Sequence, residues 1–157
     1  MKMGFLKRLK LQFSPPRLAD PDFGELLFMY IPNSPERSYW ECEWKFPSTG
    51  DVVSIALPGN ESGPFPESRA FFLTLPGRFE SILEAVRPQL SEVFRRHLDR
   101  ELPDTLFSDL KLAGFGLEDP TQTPVEWDIA FETKGEKWLG IAIPFVGNTA
   151  QTATVDT

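Results

Sequence analysis

One cysteine and one histidine, Cys42 and His97, are all that 157 residues offer of two side chains that commonly carry nucleophilic and metal chemistry. A single thiol permits no intramolecular disulfide, which suits a reducing compartment. A four-ligand zinc site would have to borrow scattered carboxylates, so neither a metal nor a cofactor is expected. No run approaches the roughly 18 apolar residues of a spanning helix. The opening stretch, residues 1–8, is positively charged but has no long apolar core and no small-residue cleavage site. No signal peptide is expected, and the expected location is cytoplasmic. The glycines between Gly59 and Pro64 have neither the spacing nor the Lys-Ser/Thr end of a phosphate loop.

Charge is unevenly divided. Residues 1–17 hold Lys2, Lys7, Arg8, Lys10 and Arg17 and no acid, while the whole chain carries −7. Residues 18–157 therefore carry −12, the total of −7 less the +5 of the arm. An acidic body repels nucleic acid and anionic membranes and attracts basic partners. A basic protein partner is expected, nucleic acid is not, and a membrane is disfavoured.

The chain divides into a basic arm (1–17), one α+β domain (18–147) and a flexible polar tail (148–157). Ser14-Pro15-Pro16 ends the arm, since two prolines stop a helix. Residues 23–31 read as a strand of large apolar side chains. In residues 38–46, Trp40, Cys42, Trp44 and Phe46 alternate with Tyr39, Glu41, Glu43 and Lys45, the mark of a half-buried strand. Pro47 to Gly50 turns the chain, and Val53, Ile55 and Leu57 return it.

The period then becomes helical. Phe72, Leu75, Phe79, Ile82, Leu83, Val86, Leu90, Val93 and Phe94 make one apolar stripe at spacings of three and four. Pro76-Gly77 is expected to break or bend this segment, and Pro88, on its solvent side, to kink it without ending it. Beyond it Leu110 and Leu112 alternate, and Gly114 and Gly116 suggest a bulge. Val125, Trp127, Ile129 and Phe131 form a further strand, and Leu139 to Phe145 another. The expected fold is an antiparallel sheet of about six strands in βββ-α-βββ order, with one long kinked helix on its apolar face. The turn after Phe46 echoes that after Phe131, and convergent turn chemistry explains this more simply than duplication.

Few residues carry candidate chemistry. His97, near the end of the helical segment, could act as a general base, but no nucleophile pairs with it, and a place in the last turn suits its charge to the helix dipole. Cys42 falls between two inward tryptophans, where a thiol behaves as a small hydrophobe. Glu41, Glu43, Glu126 and Asp128 occupy outward positions of two strands. They read as solvated surface or as a face for a basic partner; glycosidase-like acid/base work would need one of them in an apolar cleft. The arm, with Phe5, Leu6, Leu9 and Leu11 among Lys7, Arg8 and Lys10, could lie on an anionic membrane or pack on the sheet.

Asp20-Pro21-x-Phe23-Gly24, Ser38-Tyr39-Trp40-Glu41, Phe46-Pro47-x-Thr49-Gly50, Glu61-Ser62-Gly63-Pro64 and Arg69-x-Phe71-Phe72 together resemble a family of small uncharacterised bacterial proteins. The likeness spans most of residues 20–145, with the second half alike only in pattern, and departs at Pro76-Gly77. It implies no activity and no catalytic residue; some similar small acidic proteins are suspected immunity proteins. The expected function is a non-enzymatic protein-binding module, immunity-like in that light. The alternatives are an enzyme with a site near residues 60–66 or His97, and a membrane-surface adaptor acting through the arm.

Overall fold

A computed structural model describes residues 4–157. Helix α1 (Phe5–Phe13) precedes strands β1 (Arg17–Asp20), β2 (Gly24–Met29), β3 (Tyr39–Lys45), β4 (Val52–Asn60) and β5 (Gly63–Pro64). Helix α2 (Pro66–Val93) crosses the sheet. Strands β6 (Leu110–Leu117), β7 (Glu126–Thr133), β8 (Gly140–Val146), β9 (Thr149–Ala150) and β10 (Thr154–Asp156) follow. The sheet runs β1-β2-β3-β4-β6-β7-β8-β10, with β5 beside β4 and β9 beside β8.

The mixed α+β fold with one long helix on the sheet is as expected; the strand count and the uniform antiparallel pairing are not. Among the described residues there are ten strands. The four unforeseen ones, β1, β5, β9 and β10, are two to four residues long, too short for a period of two to register. The central pair, β4 and β6, is parallel, with Ser54 opposite Gly114 and Ile55 opposite Phe115. α2 causes this. A crossover along one sheet face carries the chain back to the end where β4 began, so β6 must run the same way.

The polar tail is also corrected. Residues 149–150 and 154–156 pair with β8. Side chains elsewhere hold the turn before them. Trp127 Nε1 donates to the Gly147 carbonyl at 2.8 Å, and Arg78 donates to Asn148 Oδ1 at 3.1 Å while lying over the Phe71 and Trp127 rings.

α2 buries Phe72, Leu75, Phe79, Ile82, Val86, Leu90 and Val93, which is the stripe read from the sequence. Pro66 stands at its first turn, where a missing N–H costs nothing. The helix runs unbroken through Pro76 and Pro88. Its opposing partners include Trp40, Cys42, Trp44, Phe46, Ile129 and Phe131. On β6 the pairing shifts between Leu112 and Gly114. That bulge resets the alternation, so Leu110 and Leu112 before it and Phe115 and Leu117 after it are all buried. Edge-to-face rings link the layers, Phe23 to Trp44 at 5.0 Å and Phe46 to Phe79 at 4.9 Å.

Two of the sequence motifs meet in one lock. Arg69, in the first turns of α2, donates to Asp20 through Nε at 2.9 Å and Nη2 at 3.0 Å, and also bonds Asp22. Its guanidinium lies over the Phe23 ring, which packs against Phe72. Asp20 Oδ1 further accepts the backbone N–H groups of Asp22 and Phe23. Burial alone would raise the Asp20 pKa; the hydrogen bonds from Arg69 and those two amides outweigh it and hold the carboxyl below its usual range.

Removing Asp20's charge should therefore weaken the fold. Asp20→Asn is expected to lose about 2 kcal/mol in urea unfolding at neutral pH, between the values of exposed and buried ion pairs. A depressed carboxyl contributes fully above its unfolded pKa of about 3.9, and the contribution fades as pH falls through the folded value. The gap between wild type and variant should close in that acid window; a gap that stays constant into strong acid would refute the lock.

Candidate functional site

The sheet face away from α2 is built from small side chains. Ser54 and Ala56 of β4, Gly114 and Gly116 of β6, Ala130 of β7 and Ala142 of β8 fall opposite one another by register. Gly114 must be glycine, since a Cβ there would meet backbone, while at Gly116 a side chain would displace only the Asp128 carboxylate. A Cβ on Gly114 would come within 2.3 Å of the Ser54 carbonyl oxygen, and one on Gly116 within 2.8 Å of the Asp128 carboxylate. Asp128 therefore lies across Gly116, its partner in the ladder.

Over this floor opens a cleft of about 880 Å³. Ala56, Pro58, Gly116 and Asp128 form its base, Tyr39 and Phe65 contribute sides, and two turns form the walls. One wall is the segment from Ser34 into the short helical turn Pro35–Arg37; the other is Glu118 to Thr121. The parallel β4–β6 pair explains their meeting. β6 ends beside the end of β4, and that end pairs with the start of β3, where Tyr39 faces Pro58. The turn before β3 and the turn after β6 thus rise on opposite sides of one trough. Arg37 Nη2 and Glu118 Oε1 stand 3.6 Å apart between the walls, both exposed. Asp119 holds its own wall in shape, accepting the Thr121 backbone N–H at 2.9 Å and its hydroxyl at 2.6 Å. Those bonds lower its pKa.

Glu36, Glu118, Asp119 and Asp128 line the cleft against one guanidinium, Arg37. Burial raises the Asp128 pKa, the Glu118 charge adds to the rise, and a backbone hydrogen bond from Gly116 partly opposes it. Among the described residues Asp128 forms no ion pair. A second cavity of about 320 Å³, reaching Glu126 and Pro144, shares Asp128 as its border.

The four carboxylates singled out from sequence do share the outer face, in two groups. Asp128 lies in the main cleft and Glu126 at the second cavity. Glu41 and Glu43 are exposed on β3, with β4 and β6 between them and β7. Three strand spacings make that about 14 Å, beyond the Debye length of about 8–10 Å, so mutual repulsion is largely screened. Tyr39, Glu36, Arg37 and Glu118 went unforeseen. Their only signals were the turn chemistries Asn33-Ser34-Pro35 and Asp119-Pro120, which say nothing about which turns meet.

The other candidates sit elsewhere. Residues 60–66 make a tight hairpin: Trp40 Nε1 donates to the Asn60 carbonyl at 2.8 Å, Ser68 Oγ donates to the Pro58 carbonyl at 2.8 Å, and only Phe65 and neighbouring Pro58 border the cleft. A Cβ on Gly59 would lie 2.5 Å from the Gly63 carbonyl oxygen. His97 lies in the π-helical turn Phe94–Leu98 that ends α2, and its carbonyl accepts from Lys137 Nζ at 2.8 Å. No group of three or more His, Cys, Asp or Glu that could hold a metal gathers among the described residues. Comparison with protein-family models, curated proteins and solved structures found no match.

Cys42 is buried beneath the sheet, and its thiol donates to the Phe23 carbonyl at 3.0 Å. Burial, with the charges of Asp20 and Glu43 adding, pushes its pKa up to about 11. Thiol-blocking reagents should label the native protein at neutral pH slowly and reach one equivalent only after denaturation. Rapid stoichiometric labelling of the folded chain would contradict this placement.

Proposed function

We propose that the protein is a non-enzymatic binding module whose outer-face cleft receives a basic segment of a protein partner, a lysine or arginine reaching Asp128. The carrying observation is Asp128 itself, a half-buried carboxyl at the floor of an acidic cleft that forms no ion pair among the described residues, the cleft's one guanidinium, Arg37, standing by Glu118. An incoming ammonium or guanidinium would offset the desolvation and Glu118 repulsion that raise its pKa. The volume suits a short segment rather than one side chain. The floor of alanine, proline and glycine allows an extended backbone close approach. Glu41 and Glu43, outside the cleft, would speed encounter through their field without touching the occupant. No histidine or cysteine lines the cleft, which favours binding over thiol or imidazole chemistry. An immunity-like role is one setting in which such a module would meet a basic protein.

The test uses oligolysine as probe, followed by amide chemical shifts. Shifts should concentrate at Ala56, Gly116 and Asp128, and affinity should fall with salt. Asp128→Asn should weaken binding severalfold. A carboxyl whose folded pKa is raised contributes stability below its unfolded value and loses it as pH rises through the folded one. Asp128→Asn should therefore be as thermally stable as wild type, or more so, at neutral pH. Shifts spread evenly over the acidic surface, or unchanged binding by the variant, would overturn the reading.

A further inference from the structure

Helix α1 docks by the side that carries Leu11 and Lys7. Leu11 is buried, and Lys7 Nζ meets Glu61 Oε1 at 2.7 Å. At about 100° per residue, Phe5, Phe13 and Leu6 fall within one arc of about 100° on the opposite side, with Leu9 half-buried at its middle, and Arg8 and Lys10 lie toward its two flanks. Phe5, Leu6 and Phe13 are 73%, 80% and 79% exposed. This is an amphipathic helix turned inside out. Its richest apolar stripe faces solvent, and the cations beside the stripe form no ion pair among the described residues.

We infer that this face of α1 docks onto an anionic lipid surface. The stripe of large side chains would sink into the headgroup boundary while Arg8 and Lys10 meet lipid phosphates and carboxylates. A protein occupant fits less well. The helix is about 14 Å long, and three exposed side chains supply only a few hundred Å² per partner, short of the roughly 800 Å² per partner of a standard interface. The acidic body opposes approach to an anionic surface, but at about 0.1 M salt its field fades within about 10 Å. The contact is therefore short-range and modest in strength. It does not depend on the cleft.

The experiment is co-sedimentation of the full chain with phosphatidylcholine vesicles, with and without about 30% phosphatidylserine, at about 0.1 M salt. Binding should be about tenfold stronger to the anionic vesicles. The triple variant Phe5→Ser, Leu6→Ser, Phe13→Ser should fall to background with unchanged thermal stability, since these side chains are exposed. Arg8→Glu with Lys10→Glu should lose that roughly tenfold preference for phosphatidylserine, about threefold per charge. Asp128→Asn should bind vesicles like wild type, which separates this result from the fate of the cleft. Equal binding to both vesicles, or an unaffected triple variant, would overturn the inference. So would sedimentation velocity showing a dimer that the triple variant abolishes while vesicle binding is absent, which assigns the face to a second copy.

Discussion

The parallel pairing of β4 with β6 is the constraint from which the functional surface follows. Everything before α2 is a set of antiparallel turns, and so is everything after it. Because α2 covers one face and returns the chain, the two halves join side by side with their central strands aligned. The join has a local cost. Two backbones come close at Ser54 and Gly114, and only glycine fits there. The same join places the turn before β3 and the turn after β6 around a common floor, which neither half could form alone.

The lock between Asp20 and Arg69 serves a different end of the molecule. β1 and β2 lie at one edge, away from the centre of the sheet. Tying their turn to α2 sets Phe23 against both Trp44 and Phe72. The sequence motifs of this region thus carry structural work wherever their contacts can be traced. Asp20, Phe23 and Arg69 make the lock, Trp40 fastens the hairpin through Asn60, and Gly50 takes the positive φ its turn needs.

What could be read from the sequence follows from periodicity. Trp40, Cys42, Trp44 and Phe46 on one strand, and the stripe from Phe72 to Val93 on the helix, repeat often enough to declare a face. Gly114 and Gly116 suggested a bulge by residue type alone, and the register shift between Leu112 and Gly114 is that bulge. Pairing between distant strands leaves no such trace, so the parallel join stayed hidden, and with it the meeting of Arg37 and Glu118. Asp128 shows the limit most clearly. Alternation correctly placed it outward, but outward is not the same as exposed. Its burial depends on the turns that rise around it, and those were legible only as turns.

The hairpin of β4 and β5 stands between the two surfaces and sets their relation. Glu61 at its tip holds Lys7 of α1, while Pro58 and Phe65 at its base border the cleft. The hairpin has little freedom, because the Gly59 backbone lies too close to Gly63 and Pro64 for a side chain, and Trp40 is bonded across it. The basic helix and the acidic cleft are thus held at a fixed spacing by one stiff element. A chain that kept both charges on one continuous surface would let them pair with each other. Across the rigid hairpin, the cations of α1 form no ion pair with the carboxylates of the cleft among the described residues.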